Sequence, residues 1–196
     1  MDKNGVLSDH HGEHADHFYY FAYGSNLLSE RLHLLNPSAV YVCNGVLTEY
    51  RLGFGGRSRT WGGSAATILE DKDQVVCGVV WRLRKEHSKT LDLQERQYRR
   101  LYVDVKVLPA NDQNALFKNG YSASFPTIRC RTYQMILKDD QSTELCLPSP
   151  HYKRVIVCGS EEHKLPLEYH NQLEAMPDNG YGGPVFLQLS VFNNWP

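Results

Sequence analysis

The chain has 196 residues, of which 41% are hydrophobic, and this length and composition predict a single domain with a substantial core. Its formal net charge of -1 argues against a nucleic-acid-binding surface, and no apolar run reaches the roughly 18 residues that a membrane-spanning helix needs. A polar N-terminus unlike a signal peptide, and five cysteines without a CxxC pair, favour reduced thiols and a cytoplasmic location.

Residues 1–17 form the first segment of the chain, and they contain almost no apolar side chains. We expect a disordered polar tail there, followed by one domain over residues 18–196. The tail contains His10, His11, His14 and His17 among acidic neighbours. Their spacing could bind zinc, but a tail without packed partners does not hold metal ligands in place, so we predict no metal site.

An aromatic run from Phe18 to Tyr23 opens the domain and stops at Gly24-Ser25-Asn26. The run predicts a buried strand, and the following pattern predicts a helix with Ser29 as its N-cap. A glycine turn that leads into a helix presents free backbone N–H groups, which suit a carboxylate or a phosphate. An ordinary turn after a buried strand explains the same residues, because short glycine motifs are weak signals.

The middle of the chain is dominated by strand patterns. They cover residues 40–42, 46–47, 50–54, 65–69, 75–83, 101–108 and 127–137. We predict a flexible connector over the glycine-rich residues 53–63, which could border a pocket, and a loop over residues 109–126. Because the strands follow one another with few long helices between them, the sequence predicts an α+β fold: a small, largely antiparallel, closed or half-closed β-barrel with flanking helices.

Helical patterns cover residues 85–97, 151–158 and 167–176. In the first of them, Leu91, Gln94 and Glu95 lie three and four residues apart and therefore share one face. Glu95 combines apolar neighbours with a plausible pocket position. From the residues alone, a solvated surface glutamate is the simpler interpretation, because several arginines follow it.

Several blocks of the sequence, spread over about residues 18–176, resemble the γ-glutamylcyclotransferase family in their type and order. They are Tyr20-Phe21-Ala22-Tyr23-Gly24-Ser25-Asn26-Leu27, Arg31-Leu32-His33, Asn36-Pro37-Ser38-Ala39, Gly78-Val79-Val80-Trp81, Leu91-Asp92-Leu93-Gln94-Glu95, Tyr102-Val103, Pro148-Ser149-Pro150-His151-Tyr152-Lys153 and Glu168-Tyr169. The resemblance implies a γ-glutamylcyclotransferase-like barrel. It also implies a lyase-type enzyme of glutathione metabolism that converts γ-glutamyl amino acids to 5-oxoproline and a free amino acid without a cofactor.

The resemblance also implies roles for individual residues. The family's catalytic carboxylate falls on Glu95, which would act as general acid and base while the substrate α-amine attacks its own γ-carbonyl. The substrate-binding residues fall on Tyr20, Phe21, Ala22, Tyr23, Gly24, Ser25 and Tyr152. Tyr102 and Tyr133 are further candidates for the pocket wall.

Two other functions stay open beside this one. The first is a related cyclotransferase that acts on γ-glutamyl amines or on glutathione. The second is a catalytically silent binding module, although such a module has no need of a carboxylate at position 95. In each case we expect a small γ-glutamyl molecule as the ligand and no nucleic-acid or membrane partner. A second copy of the chain, in a homodimer, is the protein partner that we consider.

The sequence departs from the family pattern directly after Glu95. A glycine usually follows there, whereas this chain continues with Arg96-Gln97-Tyr98-Arg99-Arg100. If the three arginines faced the pocket mouth, they would favour substrates whose leaving portion carries a free carboxylate. A solvated basic turn without a role explains them as well.

Overall fold

The computed structural model describes residues 13–14, 16–96, 98–109, 125–136 and 146–193. The strands of this part are β1 (Glu13–His14), β2 (His17–Ala22), β3 (Val40–Ser58), β4 (Gly63–Arg84), β5 (Tyr98–Val107) and β6 (Thr127–Met135). Its α-helices are α1 (Ser29–His33), α2 (Ser88–Gln94), α3 (Pro150–Glu162) and α4 (Leu167–Ala175). Short 3₁₀ turns cover Ser25–Leu27, Lys85–His87 and Ser190–Phe192.

The five longer strands close into a barrel in the order β2-β4-β3-β5-β6, and β6 returns to β2. All neighbours are antiparallel except at the closure, where Tyr20 pairs with Arg131 in parallel. The two-residue β1 pairs with the outer end of β2. The structure therefore confirms the predicted α+β fold and shows the barrel in its closed form.

Strands β3 and β4 form one long hairpin where the sequence predicted several short strands. Register shifts at Tyr41/Cys43, Thr48/Tyr50 and Gly55/Ser58 interrupt the alternation of inward and outward side chains. Such bulges bend a strand and increase its twist, which lets the hairpin curve around the barrel. The prediction of a connector over residues 53–63 was wrong, because only residues 59–62 form the turn of the hairpin.

Two helix boundaries differ from the predictions. Helix α1 begins at Ser29, so Leu28 is its N-cap, and the Ser29 hydroxyl lies 3.2 Å from Nε2 of His163 instead of capping the helix. Helix α2 ends at Gln94, and Glu95 lies in the turn that follows rather than on the helix. The turn forms because the Tyr98 N–H donates to the Glu95 carbonyl at 2.9 Å, which directs the chain into β5.

Helix α3 packs against the segment that follows β2. It begins after Ser149, whose hydroxyl accepts a hydrogen bond from the Tyr152 N–H at 3.1 Å and so caps the helix. A Cβ on Gly159 would lie 2.5 Å from the Leu28 nitrogen, so this glycine permits the close contact. The contact brings Tyr152, one turn into the helix, next to the turn at Gly24.

Part of the predicted tail and of the predicted loop lies outside the described residues, namely residues 1–12, 15 and 110–124. His10 and His11 are among them, whereas His14 and His17 belong to β1 and β2. In the part of the chain that the structure describes, no three histidine, cysteine or acidic side chains form a group able to hold a metal ion. None of the helices described is both long and apolar enough to cross a membrane.

Candidate active site

A cavity of about 470 Å³ opens where the end of β2, the β3–β4 turn and the end of α2 meet. Among the residues that the structure describes, its wall contains one acidic side chain, Glu95, and a group of tyrosines and arginines. The tyrosines are Tyr20, Tyr23, Tyr98, Tyr133 and Tyr152, and the arginines are Arg31, Arg57, Arg59 and Arg96. The cavity therefore combines an aromatic wall with an excess of positive charge around one carboxylate.

The carboxyl group of Glu95 has an environment that favours its neutral form. Burial raises the pKa of Glu95 from 4.5 to about 7, although the charge of Arg31 and a hydrogen bond from Asn26 act in the opposite direction. The Asn26 amide nitrogen donates to Glu95 Oε1 at 3.2 Å. A carboxyl group with this pKa can both accept and donate a proton near neutral pH.

A chain of side-chain amides holds Asn26 in this orientation. The Asn26 amide nitrogen also donates to the Tyr20 hydroxyl at 3.0 Å, and its oxygen accepts from Gln94 Nε2 at 3.0 Å. The Gln94 oxygen in turn accepts from the buried Asn36 amide at 3.3 Å. Because Gln94 occupies the Asn26 oxygen, the Asn26 NH₂ group has to face Glu95 and Tyr20.

The backbone of β4 fixes two of the pocket tyrosines. The Ala66 N–H donates to the Tyr152 hydroxyl at 3.1 Å, and the Tyr98 hydroxyl donates to the Ala66 carbonyl at 2.9 Å. The Trp61 ring packs edge-on against Tyr152 with 4.9 Å between the ring centroids. Burial raises the pKa of Tyr20 well above 10, so its hydroxyl keeps its proton at neutral pH.

The family follows from comparison with known proteins. The model of the AIG2-like family matches residues 75–173. The human γ-glutamylcyclotransferase is 39% identical over 186 residues, which are 93% of this chain and 90% of the human protein. The chain belongs to the γ-glutamylcyclotransferase family. The mouse γ-glutamylcyclotransferase is 38% identical over 180 residues, 90% of this chain and 87% of the mouse protein. A solved structure of a γ-glutamyl cyclotransferase superimposes with a TM-score of 0.73 at 37% identity and covers 86% of this chain and 93% of its own.

Most of the residues that the γ-glutamylcyclotransferase resemblance singled out come together in the pocket wall. They are Tyr20, Tyr23, Gly24, Ser25, Glu95 and Tyr152, together with Tyr133. Phe21 and Ala22 are fully buried in the core and do not line the pocket. Tyr102 is 44% exposed on β5 and lies outside it, while Tyr98, four residues earlier on the same strand, lines it.

The three arginines after Glu95 separate in space. Arg96 lines the pocket, whereas Arg99 Nε donates to Gln134 Oε1 at 2.8 Å and Arg100 lies 3.6 Å from Asp92. The interpretation in which all three face the pocket mouth does not hold for Arg99 and Arg100, because they lie in β5 and their side chains contact residues outside the pocket. The other pocket arginines are Arg31 of α1, which a block of the resemblance contained without a role, and two from the β3–β4 hairpin. The latter, Arg57 and Arg59, belong to the stretch 53–63 that was expected to border a pocket.

Proposed function

We propose that this family member releases 5-oxoproline from γ-glutamyl amino acids, with Glu95 as the general acid and base. Membership of the γ-glutamylcyclotransferase family supports the reaction. The observation that carries the role of Glu95 is that it is the one carboxyl group among the described residues of the cavity wall, with a pKa of about 7 and an oriented amide beside it. The volume suits a small peptide, since ligand pockets usually measure about 300–1,000 Å³.

The proton inventory of the reaction explains why one carboxylate suffices. The substrate α-amine is an ammonium at neutral pH, and Glu95 removes one of its protons. The free amine attacks the γ-carbonyl carbon, a carbon–nitrogen bond forms, and the carbonyl oxygen becomes an oxyanion. Before the original amide bond breaks, Glu95 passes its proton to the leaving nitrogen. The ionised Glu95 then removes the second proton from the cationic ring nitrogen and transfers it to the released amine, so that the products are the neutral lactam and an ammonium. A pKa near the working pH serves each of these transfers.

Tyr20 is the donor that we propose for the oxyanion. Its hydroxyl oxygen already accepts a hydrogen bond from Asn26, so its own hydrogen is directed elsewhere. Within the described part of the chain nothing accepts that hydrogen. A buried, neutral hydroxyl in the pocket wall stabilises developing negative charge, and the loss of one such donor costs about 10²–10³ in rate.

The bent conformation of the bound substrate accounts for a further part of the rate enhancement. The α-amine and the γ-carbonyl belong to one flexible chain, and they react only when that chain is bent into a ring. An enclosing wall of aromatic side chains favours the bent form. Intramolecular positioning of this kind is worth up to about 7–11 kcal/mol in favourable systems.

Release of 5-oxoproline from γ-Glu-Ala, γ-glutamyl-ε-lysine and glutathione tests the proposal directly. We expect turnover of γ-Glu-Ala. Preferential turnover of γ-glutamyl-ε-lysine or glutathione would establish the related cyclotransferase instead. Binding of all three molecules without any 5-oxoproline would establish a silent binding module.

The pH dependence of kcat/KM is the first quantitative prediction. Glu95 acts as a base only when it is ionised, so kcat/KM should rise about tenfold between pH 6 and pH 8, with its midpoint near pH 7. The thermal midpoint of unfolding, measured over the same range, controls for loss of folded protein. A midpoint near pH 4.5, the ordinary value for a glutamate, would contradict the role of burial.

Replacement of Gly24 by alanine tests the turn after β2. A Cβ at this position would lie 3.0 Å from the Tyr152 hydroxyl and 3.2 Å from the Ala66 Cβ, so Tyr152 has to move by a few tenths of an ångström. We expect kcat/KM to fall about tenfold, because small displacements in a site are costly to the rate. The matched control is Gly182→Ala, whose Cβ would meet nothing within 4 Å. A large loss of thermal stability with unchanged activity per folded molecule would make the turn purely structural.

We also propose the location, the ligand class and the partners of the protein. The cytoplasmic location is supported by the five cysteines, which are all free thiols. The ligand class is supported by family membership, and the absence of nucleic-acid and membrane partners rests on the charge and hydropathy of the sequence. The homodimer would be tested by the molar mass in solution.

A further inference from the structure

Arg31 is a buried cation in the wall of the pocket, and the charge of Glu95 acts on it without a close ion pair between the two groups. Arg31 is 9% exposed, and its Nε has no hydrogen-bond partner in the described part of the chain. No ion pair is formed by Arg31 with any carboxylate that the structure describes. Removing a charged group from water without pairing it costs free energy, so a guanidinium in this state suits an anionic ligand.

Trp61 holds the guanidinium in position. The Arg31 Cζ lies 5.9 Å from the centroid of the Trp61 ring, and Trp61 is itself buried against Tyr152. A guanidinium over an aromatic face keeps its N–H edges free for a planar acceptor. Because Trp61 belongs to the β3–β4 turn, Arg31 lies on the side of the pocket that this turn covers.

Two further arginines lie on this side of the pocket, at its solvent-exposed rim. Arg57 and Arg59, which precede Trp61 in the hairpin, line the same cavity and are exposed. They form no ion pair with the described residues. The hairpin side is therefore cationic from the buried Arg31 to the rim.

We infer that Arg31 is a specificity-determining residue that binds the carboxylate of the leaving amino acid. The inference rests on the proposed function, and it assigns the part of the substrate that the reaction releases. A γ-glutamyl dipeptide carries two carboxylates, of which one shares a carbon atom with the reacting α-amine. The outer carboxylate belongs to the portion that has to depart to solvent, and the cationic hairpin side of the pocket matches it.

The test compares γ-Glu-Ala with its C-terminal amide in the wild type and in Arg31→Met. Charge-assisted hydrogen bonds are the stronger ones, so we expect the wild type to favour the free acid at least about tenfold in kcat/KM. Arg31→Met should bring this ratio close to one by slowing γ-Glu-Ala alone. Arg84→Met, an exposed arginine paired with Glu86, is the matched control and should leave the ratio unchanged.

Binding without turnover separates this inference from the proposed function. Calorimetry of γ-Glu-Ala and its amide in a Glu95→Gln background, with and without Arg31→Met, should give the same preference as the kinetics. Arg31→Lys keeps the charge but not the planar guanidinium, so it should retain part of the preference for the free acid over the amide. This variant also serves as the test if Arg31→Met does not fold.

Each outcome decides one statement. If Arg31→Met lowered kcat/KM equally for γ-Glu-Ala and for its amide, Arg31 would be assigned to the carboxylate of the γ-glutamyl unit and the inference would be overturned. An unchanged ratio in both Arg31 variants would make Arg31 a packing partner of Trp61 and would also overturn it. Absence of 5-oxoproline release by the wild type would instead refute the proposed function.

Discussion

Replacing Glu95 by glutamine is expected to lower kcat/KM by at least about 100-fold, because a positioned general base contributes roughly 10²–10⁴ to the rate. The fold should persist. An amide oxygen at the same place can still accept the hydrogen bond that Asn26 donates at 3.2 Å to Oε1. The same substitution should make the protein more stable at alkaline pH, so the two effects have opposite signs.

The gain in stability follows from the pKa of Glu95. Burial raises this pKa from 4.5 to about 7, so the folded chain holds a proton between these values that the unfolded chain has lost. The contribution of Glu95 to stability is therefore fully present below about pH 4.5 and is lost as the pH rises through about 7. One pKa unit corresponds to about 1.4 kcal/mol, and partial exposure of the residue reduces the total, which we place at about 1–3 kcal/mol.

Denaturant unfolding at pH 4.5 and pH 8, together with kinetics, checks both effects. Glu95→Gln should unfold like the wild type at pH 4.5 and be about 1–3 kcal/mol more stable at pH 8. The control is Glu86→Gln, a surface glutamate with a side chain that is 59% exposed, for which we expect neither effect. Near-wild-type turnover by folded Glu95→Gln protein would refute the role of Glu95 as the general base. If activity were lost without a pH-dependent gain in stability, the conclusion that burial raises the pKa of Glu95 would be refuted.

The barrel was predictable because its strands are local features of the sequence. The pairing that closes the barrel was not predictable, since Tyr20 and Arg131 are distant in the chain and form a single parallel pair. The bulges in the β3–β4 hairpin were also hidden, because a shift in alternation looks like the end of a strand. The sequence therefore indicated the strands and a closed or half-closed barrel, but neither the length of the strands nor the pair of residues that closes the barrel.

The candidate site was predictable where the family resemblance has contiguous blocks, at the turn after β2 and at Glu95. It was missed where residues meet only after folding. Arg31 and Trp61 come from different elements, and no spacing in the sequence indicates their contact. Tyr102 was preferred to Tyr98 because a block of the resemblance contained it, although at about 3.3 Å per residue the two lie roughly 13 Å apart along the strand.

The ion pair between Asp92 and Arg131 attaches α2 to the barrel, and its removal gives the second large effect. Arg131 is 2% exposed and contacts the Asp92 carboxylate, the Tyr133 hydroxyl and the Ser88 hydroxyl, the last at 2.7 Å. Its guanidinium also lies over the Phe18 ring, 5.0 Å from the centroid. Without Asp92, the buried guanidinium of Arg131 would have only neutral hydrogen-bond partners.

Asp92→Ala is therefore expected to lower the free energy of unfolding by about 2–4 kcal/mol. Breaking a fully buried pair costs about 3–5 kcal/mol, and the 40% exposure of the Asp92 side chain lowers that figure. The control is Asp104→Ala, whose partner Arg129 lies 3.2 Å away on the surface, and we expect a change below about 1 kcal/mol there. Glu95 follows directly after α2, so kcat of the folded Asp92→Ala protein should fall as well.

A second substitution distinguishes the stranded charge from a simple loss of contacts. Arg131→Met in the Asp92→Ala background removes the buried cation and keeps most of its volume, so it should restore part of the lost stability. Denaturant unfolding of the wild type, both single variants and the double variant gives the coupling energy between the two positions. Strictly additive effects would mean that Asp92 and Arg131 stabilise the barrel independently, and that the buried guanidinium is satisfied by Ser88 and Tyr133 without its anion.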